Sequence, residues 1–427
     1  MNTAAPAPPS SDPPVWIDRY ARTAVSAVLS RVVHGRLLII DHDSSRSFGA
    51  VTDICPLDVT ITVVNPRFYS YMLFGGSVGA AEAYMAGYWT TSDLTAVVRI
   101  MVLNRHVLEH VESGFAKLLS PARKLIHWLN RNTRSGSKKN IVAHYDLGND
   151  FFSLFLDPTM TYSAGIFEHD DFTLELASHT KLDRICRKLA LTPDDAVLEI
   201  GTGWGSFALH AAAHYGCHVT TTTISEEQYT LARTRIDQAG LSDKITLLKQ
   251  DYRDLNGTFS KVVSIEMIEA VGYEFYDTYF HTISSLLKPD GMALIQAIII
   301  DDRAYDSAIK SVDFIQRYIF PGSCIPSITA ILQSVKRATD MRLFHCEDIT
   351  AHYARTLREW HKNFMAAIDA VKAQGYSDQF IRMWEFYLCY CEGGFAERHI
   401  GDVHLLFTKP LCRREPILGT LKAEKKE

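Results

Sequence analysis

The 427-residue chain predicts a doubly wound, Rossmann-like α/β sheet with helical additions, preceded by a smaller α+β domain. Three observations carry that expectation. From Ala196 onward short apolar runs alternate with helical patterns: AVLEIG, a helix through Ala213, HVTTTTIS, a helix, KITLLKQ, KVVSIEMI, a helix and MALIQAIII. That order is what parallel strands crossed by helices on both faces require. A glycine-rich turn follows the first strand of the series, and the basic segment NRNTRSGSKKN at 130–140, without one apolar residue, separates this region from the part before it.

Taken in order, residues 1–15 (MNTAAPAPPSSDPPV) have neither a basic n-region nor an apolar h-region, so they read as a disordered lead-in and not as a signal peptide. Residues 16–129 open with the helical pattern TAVSAVLSRVV and continue with alternating, strand-like RLLIIDHD and LDVTITVVN. GGSVGAAEAYMAGYWTTSDLTAVVRIMV then reads as a loop followed by two helices. Residues 130–140 are the linker, and 141–427 form the sheet domain. Its closing part, from Ile325 to Lys409, is helical and rich in aromatics and ends in the strand-like DVHLLFTKP. No internal repeat is present.

Composition narrows the function classes. A net charge of −5 and a pI near 6.4 argue against a surface built to grip phosphate backbones, so nucleic acid is not an expected partner. The eight cysteines show no paired CxxC spacing, which points to reduced thiols in a cytoplasmic protein without a zinc or other metal site. No apolar run approaches the roughly 20 residues that span a bilayer, so membrane contact is expected to be peripheral. Arg131, Arg134, Lys138 and Lys139 in the linker suit either anionic headgroups or plain solvation.

The strongest local signal is VLEIGTGWGSFAL. An apolar strand ends in Glu199 and turns through Gly201, Gly203 and Gly205 into a helix, letting backbone approach a ligand across the strand tip. Ser206 stands where a dinucleotide fingerprint would place its third glycine, and the shorter E/DxGxGxG turn matches methyltransferases that use S-adenosylmethionine. Such a turn by itself also occurs as a simple strand-to-helix connection. Along the sheet, Thr223, Ile224 and Gln228 sit at a turn suited to a ribose, or form an N-cap box with Glu227. Asp251 is placed for an adenine amino group with Tyr252 over a ring face, or both belong to an ordinary acidic loop. Glu266 and Glu269 lie at or after the fourth strand tip, where reacting groups of open α/β sheets collect. Glu269, a carboxylate inside the apolar run MIEAVG, is the more telling of the two.

These motifs, together with AHYDLGNDFFSLFLDPTMTYSAGIF, TISEEQ, QDYRDL, DFIQRYIFPGSCIPS and HYARTLREW, resemble the cyclopropane-fatty-acyl-phospholipid synthase family, which includes the mycolic acid cyclopropane synthases. The resemblance extends over essentially the whole chain. QAIIIDDRAY and SVDFIQRYIF look closest to its plant-type branch. It implies a class I S-adenosylmethionine-dependent methyltransferase domain, an amino-terminal lipid-handling domain, a homodimer, and an unsaturated phospholipid in a membrane as substrate. The implied reaction carries a methyl group onto a cis double bond and closes a cyclopropane ring. An alkene is a feeble nucleophile, so alignment and exclusion of water are the main levers. Aromatic faces such as Tyr318, Tyr353 and Trp360 suit the cationic product of the first step, although each also suits a core.

The resemblance further implies a bound bicarbonate as the base. Its ligands carry over as Glu269, Tyr353 and the backbone at Ile298, while the family's cysteine falls on Ala164 and its histidine on Gln296. Gln296 retains an amide hydrogen that an oxyanion could accept. Tyr162 and Ser163 match the pair beside the methionine end of the cofactor. The alternatives are a C-methyltransferase giving methyl-branched or methylene acyl chains, and a lipid-binding homologue without turnover.

Overall fold

In the computed structural model, the described residues are 16–42, 44–107 and 147–418. The linker candidate, its four basic residues, and the lead-in lie outside them. By contacts the chain forms two compact units. One comprises residues up to Gly165 with Ile300–Cys324 and Thr350–Gly401; the other comprises Ile166–Ile299, Ile325–Ile349 and the residues from Asp402.

The first unit begins with α1 (Trp16–Leu29), whose Ala21, Val25 and Leu29 recur every fourth residue and are buried. A four-stranded sheet follows in the order β2-β1-β3-β4, from β1 (Arg36–Asp41), β2 (Ser44–Phe48), β3 (Asp58–Val63) and β4 (Trp89–Thr91). The stretch read as a glycine loop is instead helical. It belongs to α2 (Arg67–Met85), which breaks at Gly76 (φ 61°) and folds back on itself. A Cβ on Gly79 would lie 2.0 Å from the Tyr71 carbonyl oxygen, so glycine here serves close backbone approach, not a loop. Beyond α3 (Leu94–Leu103) and the short α4 (Asn149–Phe152), the later helices of this unit pack on these elements. A Cβ on Gly393 would lie 2.6 Å from Val98 Cγ1 of α3, and Tyr84 of α2 donates to Glu385 at 2.8 Å.

The second unit is the expected doubly wound sheet, seven strands in the order β10-β11-β9-β8-β5-β6-β7. In chain order they are β5 (Ala196–Ile200), β6 (His218–Thr222), β7 (Ile245–Leu248), β8 (Phe259–Ile265), β9 (Leu287–Ile300), β10 (Arg342–Asp348) and β11 (Ile400–Thr408). The strands β7, β6, β5, β8 and β9 are mutually parallel, whereas β10 and β11 pair antiparallel. The chain runs from β5 out to β6 and β7 on one side and then crosses to β8 and β9 on the other, so the β5/β8 crevice is the topological switch point.

Alternation along the strands sorts the core into two layers. Leu198, Val262, Ala293, Ile295, Leu405 and Phe407 face α8 (Tyr276–Leu286) and α9 (Ile328–Ala338). Val197, Val263, Leu294 and Leu406 face α5 (Leu174–Leu189), α6 (Ser206–Tyr215) and α7 (Glu226–Gln238). The second face turns polar towards the carboxyl ends of the parallel strands, and that edge holds the candidate site.

Candidate active site

Gly201, Gly203 and Gly205 all have left-handed backbone (φ 100°, 53° and 90°), which excludes other residues at little less than about 1 kcal/mol each. The turn is pinned to β6 by the Gly201 and Thr202 amides, which donate to the Thr222 carbonyl at 3.2 and 2.9 Å. A Cβ on Gly205 would reach Ala232 at 3.5 Å, whereas one on Gly203 would meet nothing within 4 Å. Gly203 therefore presents bare backbone to open space at the switch point, which fits a ligand such as S-adenosylmethionine.

Several predicted cofactor contacts brace this turn and its neighbours. Glu199 is 2% exposed and lies within β5; its Oε2 accepts from the Thr221 hydroxyl at 2.6 Å, and the Thr221 and Thr202 hydroxyls are 2.7 Å apart. Burial pushes its carboxyl up to about 8, against that hydrogen bond and the charge of Lys181. In this state its carboxyl supports the turn from behind. Thr223 donates to Gln228 Oε1 at 2.8 Å, and Ser225 caps α7 by accepting from the Gln228 amide, so this turn has the N-cap geometry; Ile224 stands half-buried beside it. Both oxygens of Asp251 accept from the Arg253 guanidinium at 2.8 and 2.6 Å. Tyr252 is half-buried with its ring edge-on to Tyr279 at 5.7 Å.

At the tip of β8 the chain takes an uncommon turn, with Glu266 left-handed at φ 47°. A non-glycine residue held there signals strain that the surroundings impose. Three residues on, Glu269 is 9% exposed. Its Oε1 accepts from the Ile298 amide at 2.5 Å, whereas Oε2 is buried and has no hydrogen-bond partner among the described residues. Burial, then the neighbouring Glu266 charge, pushes this carboxyl up to about 8, although backbone amides hold it down. A buried carboxylate oxygen left without a donor costs about 1–3 kcal/mol, a cost found where a group is kept for chemistry. Met267, between the two glutamates, lies 3.4 Å from where a Gly201 Cβ would be, so this carboxylate segment and the glycine turn share one edge of the sheet.

Gln296, expected as a donor to an oxyanion, lies in β9. It is fully buried, and its amide nitrogen donates to Glu266 Oε1 at 2.8 Å and to Asp402 Oδ2 at 2.9 Å. Its oxygen lies 3.1 Å from His404 Nε2. That oxygen can only accept, so Nε2 carries the His404 proton and Nδ1 accepts from Lys188 Nζ at 2.9 Å. Lys188 in turn pairs with Glu347 at 2.6 Å, which also binds Arg184. Burial and then Lys188 hold His404 well below its usual range. Both amide hydrogens of Gln296 are committed, and the side chain is a strut. Asp402 and His404 were not singled out from the sequence. Their signal was present: a carboxylate and an imidazole two apart on one face of the apolar strand DVHLLF.

The remaining predicted residues belong to the first unit. Tyr162 lies 5.2 Å from Trp360, ring centre to ring centre, and its hydroxyl is 2.8 Å from that of Tyr387. Ser163 and Ala164 are buried, and the next amide, Gly165, donates to Thr356 of α10 (Thr350–Ala366) at 3.0 Å. Tyr353 stacks on Phe395 at 4.3 Å, and Trp360 is fully buried among Phe155, Tyr162 and Tyr353. Tyr318 donates to Glu82 at 2.7 Å. Among the described residues no group of three or more His, Cys, Asp or Glu is arranged to hold a metal ion, and no helix is long and apolar enough to cross a membrane.

The family profile of mycolic acid cyclopropane synthetase matches residues 132–405. The chain is 37% identical over 372 residues to the cyclopropane-fatty-acyl-phospholipid synthase of Escherichia coli strain K12, covering 86% of this chain and 91% of that protein. It is also 37% identical over 347 residues to the tuberculostearic acid methyltransferase UfaA1 of Mycobacterium tuberculosis, covering 77% and 78%. Among solved structures it is similar to mycolic acid cyclopropane synthase CmaA1 complexed with SAH and CTAB, with TM-score 0.60 and 29% identity, covering 64% of this chain and 98% of that one. The seven-stranded sheet is thus that of class I S-adenosylmethionine-dependent methyltransferases, and the chain belongs to the mycolic acid cyclopropane synthetase family.

Proposed function

We propose that this protein transfers a methyl group from S-adenosylmethionine to the cis double bond of an unsaturated phospholipid acyl chain and closes it to a cyclopropane. The observation that carries this reading is the buried, half-partnered carboxylate of Glu269 on the same sheet edge as the bare backbone of Gly203. Family membership and the likeness to the Escherichia coli synthase support it. When bound, S-adenosylmethionine supplies an electrophilic methyl group. The glycine turn would hold it, with the Thr223–Gln228 turn, Asp251 and Tyr252 along the next strand ends. The family resemblance also assigns cofactor contacts to Tyr162 and Ser163 and a part in the reaction to Tyr353. Residues 16–129 would handle the acyl chain, with the enzyme acting as a homodimer at the cytoplasmic membrane surface.

A second reading, a methyl-branched or methylene product, is supported by the equal identity to a tuberculostearic acid methyltransferase. Incubation with methyl-labelled cofactor and unsaturated phospholipid vesicles, followed by acyl mass analysis, separates the readings. A gain of one methylene with the double bond lost supports cyclopropanation, and a labelled chain that keeps its double bond or takes up reducing equivalents supports the second. Absence of label from lipid overturns both.

A further inference from the structure

The donors that the resemblance would offer to a bicarbonate ion are engaged by the protein's own carboxylates. Gln296 spends its amide on Glu266 and Asp402, the Ile298 amide serves Glu269, and position 164 is an alanine without a side-chain donor. Glu266 and Asp402 thus share the two hydrogens of one amide group. Asp402, on β11, is wholly buried, whereas Glu266 at the strand tip is half-exposed, so negative charge on the pair is better solvated at Glu266.

We propose that Glu266 takes the place of an external bicarbonate as the proton acceptor of ring closure, with Gln296 and Asp402 as the positioning residues that hold it. This rests on the acyl-lipid reading above. In the step, the alkene electron pair bonds the methyl carbon as the sulfur–methyl bond breaks and sulfur keeps its pair. One C–H bond of the delivered methyl then breaks, its electrons close the second ring bond, and the proton passes to a Glu266 oxygen. The sulfonium charge and the carboxylate charge disappear together, and no further reactant is needed. Behind Gln296, His404, Lys188 and Glu347 form a chain of contacts that fixes the amide orientation. Burial, then the neighbouring Glu266 charge, holds Asp402 well above its usual range.

The informative variant is Glu266→Gly, because the left-handed backbone at this position suits glycine and its removal frees one Gln296 hydrogen. In bicarbonate-free buffer the unaltered enzyme is expected to methylate vesicle lipid at a rate within about twofold of that with bicarbonate. Glu266→Gly is expected to lose about 10²-fold without bicarbonate, the usual scale of a lost proton acceptor, and to recover most of it when the ion is added. Carbon-13 bicarbonate resonance broadening is expected with Glu266→Gly and not with the unaltered protein. The proposal is overturned if the unaltered enzyme depends on bicarbonate, or if Glu266→Gly keeps full rate without it. If neither protein labels lipid, the acyl-lipid reading fails, and the resonance measurement still decides the anion site: broadening by the unaltered protein overturns it, and broadening by the variant alone supports it.

Discussion

Two carboxyl groups in the second unit, Glu269 and Glu199, are held well above the usual glutamate range because burial makes their ionised forms costly, and each leaves a distinct trace. Glu269→Gln is expected to slow methyl transfer by about 10²–10⁴-fold while leaving S-adenosylmethionine affinity nearly unchanged, as measured by single-turnover kinetics and calorimetric titration. A loss of cofactor affinity instead would put Glu269 in the cofactor pocket and not at the reacting end. Glu199 acts on stability. Its folded carboxyl titrates near 8, above the 4.3 of a free glutamate, so its contribution is full below the unfolded value and is lost as pH rises through the folded one. The melting temperature is therefore expected to fall between about pH 5 and 8, and Glu199→Gln is expected to flatten that slope in a calorimetric series.

At the scale of elements, glycines decide how closely backbones approach. Gly203→Ala meets no neighbour, so the substitution is expected to cost only about 1 kcal/mol of backbone strain in denaturant titration. Its effect on cofactor affinity is expected to be larger, a loss of about 10-fold or more. Gly79→Ala is the converse. Its Cβ would press on the Tyr71 carbonyl, and the two halves of α2 cannot separate without disturbing the core, so destabilisation of roughly 3 kcal/mol is expected. These two positions also show where composition misleads. In GGSVGAAEAYM glycine reads as a breaker, because periodicity arguments do not register helix-to-helix contact at a bare Cα. The strand β2 (SSRSF) is mostly exposed and β10 (RLFHCED) has little full burial, so neither shows the alternation that announced the central strands.

For the whole molecule, the expected test is binding to anionic vesicles. Neutralising Arg131, Arg134, Lys138 and Lys139 together is expected to weaken sedimentation with vesicles at low salt, each basic charge near such a surface being worth about 1 kcal/mol, with the difference vanishing at high salt. Unchanged sedimentation would remove the linker from membrane contact. By contacts, Ile300–Cys324 and Thr350–Gly401 belong with the amino-terminal residues, although in sequence they interrupt the second unit.

The sequence by itself determined the doubly wound sheet, the glycine turn at its switch point, and Glu269 as the carboxylate worth attention. Each rests on a local pattern: alternating apolar runs, three closely spaced glycines, one charge in an apolar segment. Only the tertiary structure decided what Gln296 does and that Glu266 has partners. Gln296 is 106 residues from Asp402 and 108 from His404, and hydrogen-bond saturation is a property of neighbours in space. A residue's identity states how many hydrogen bonds it can make, and the fold alone states which are already made.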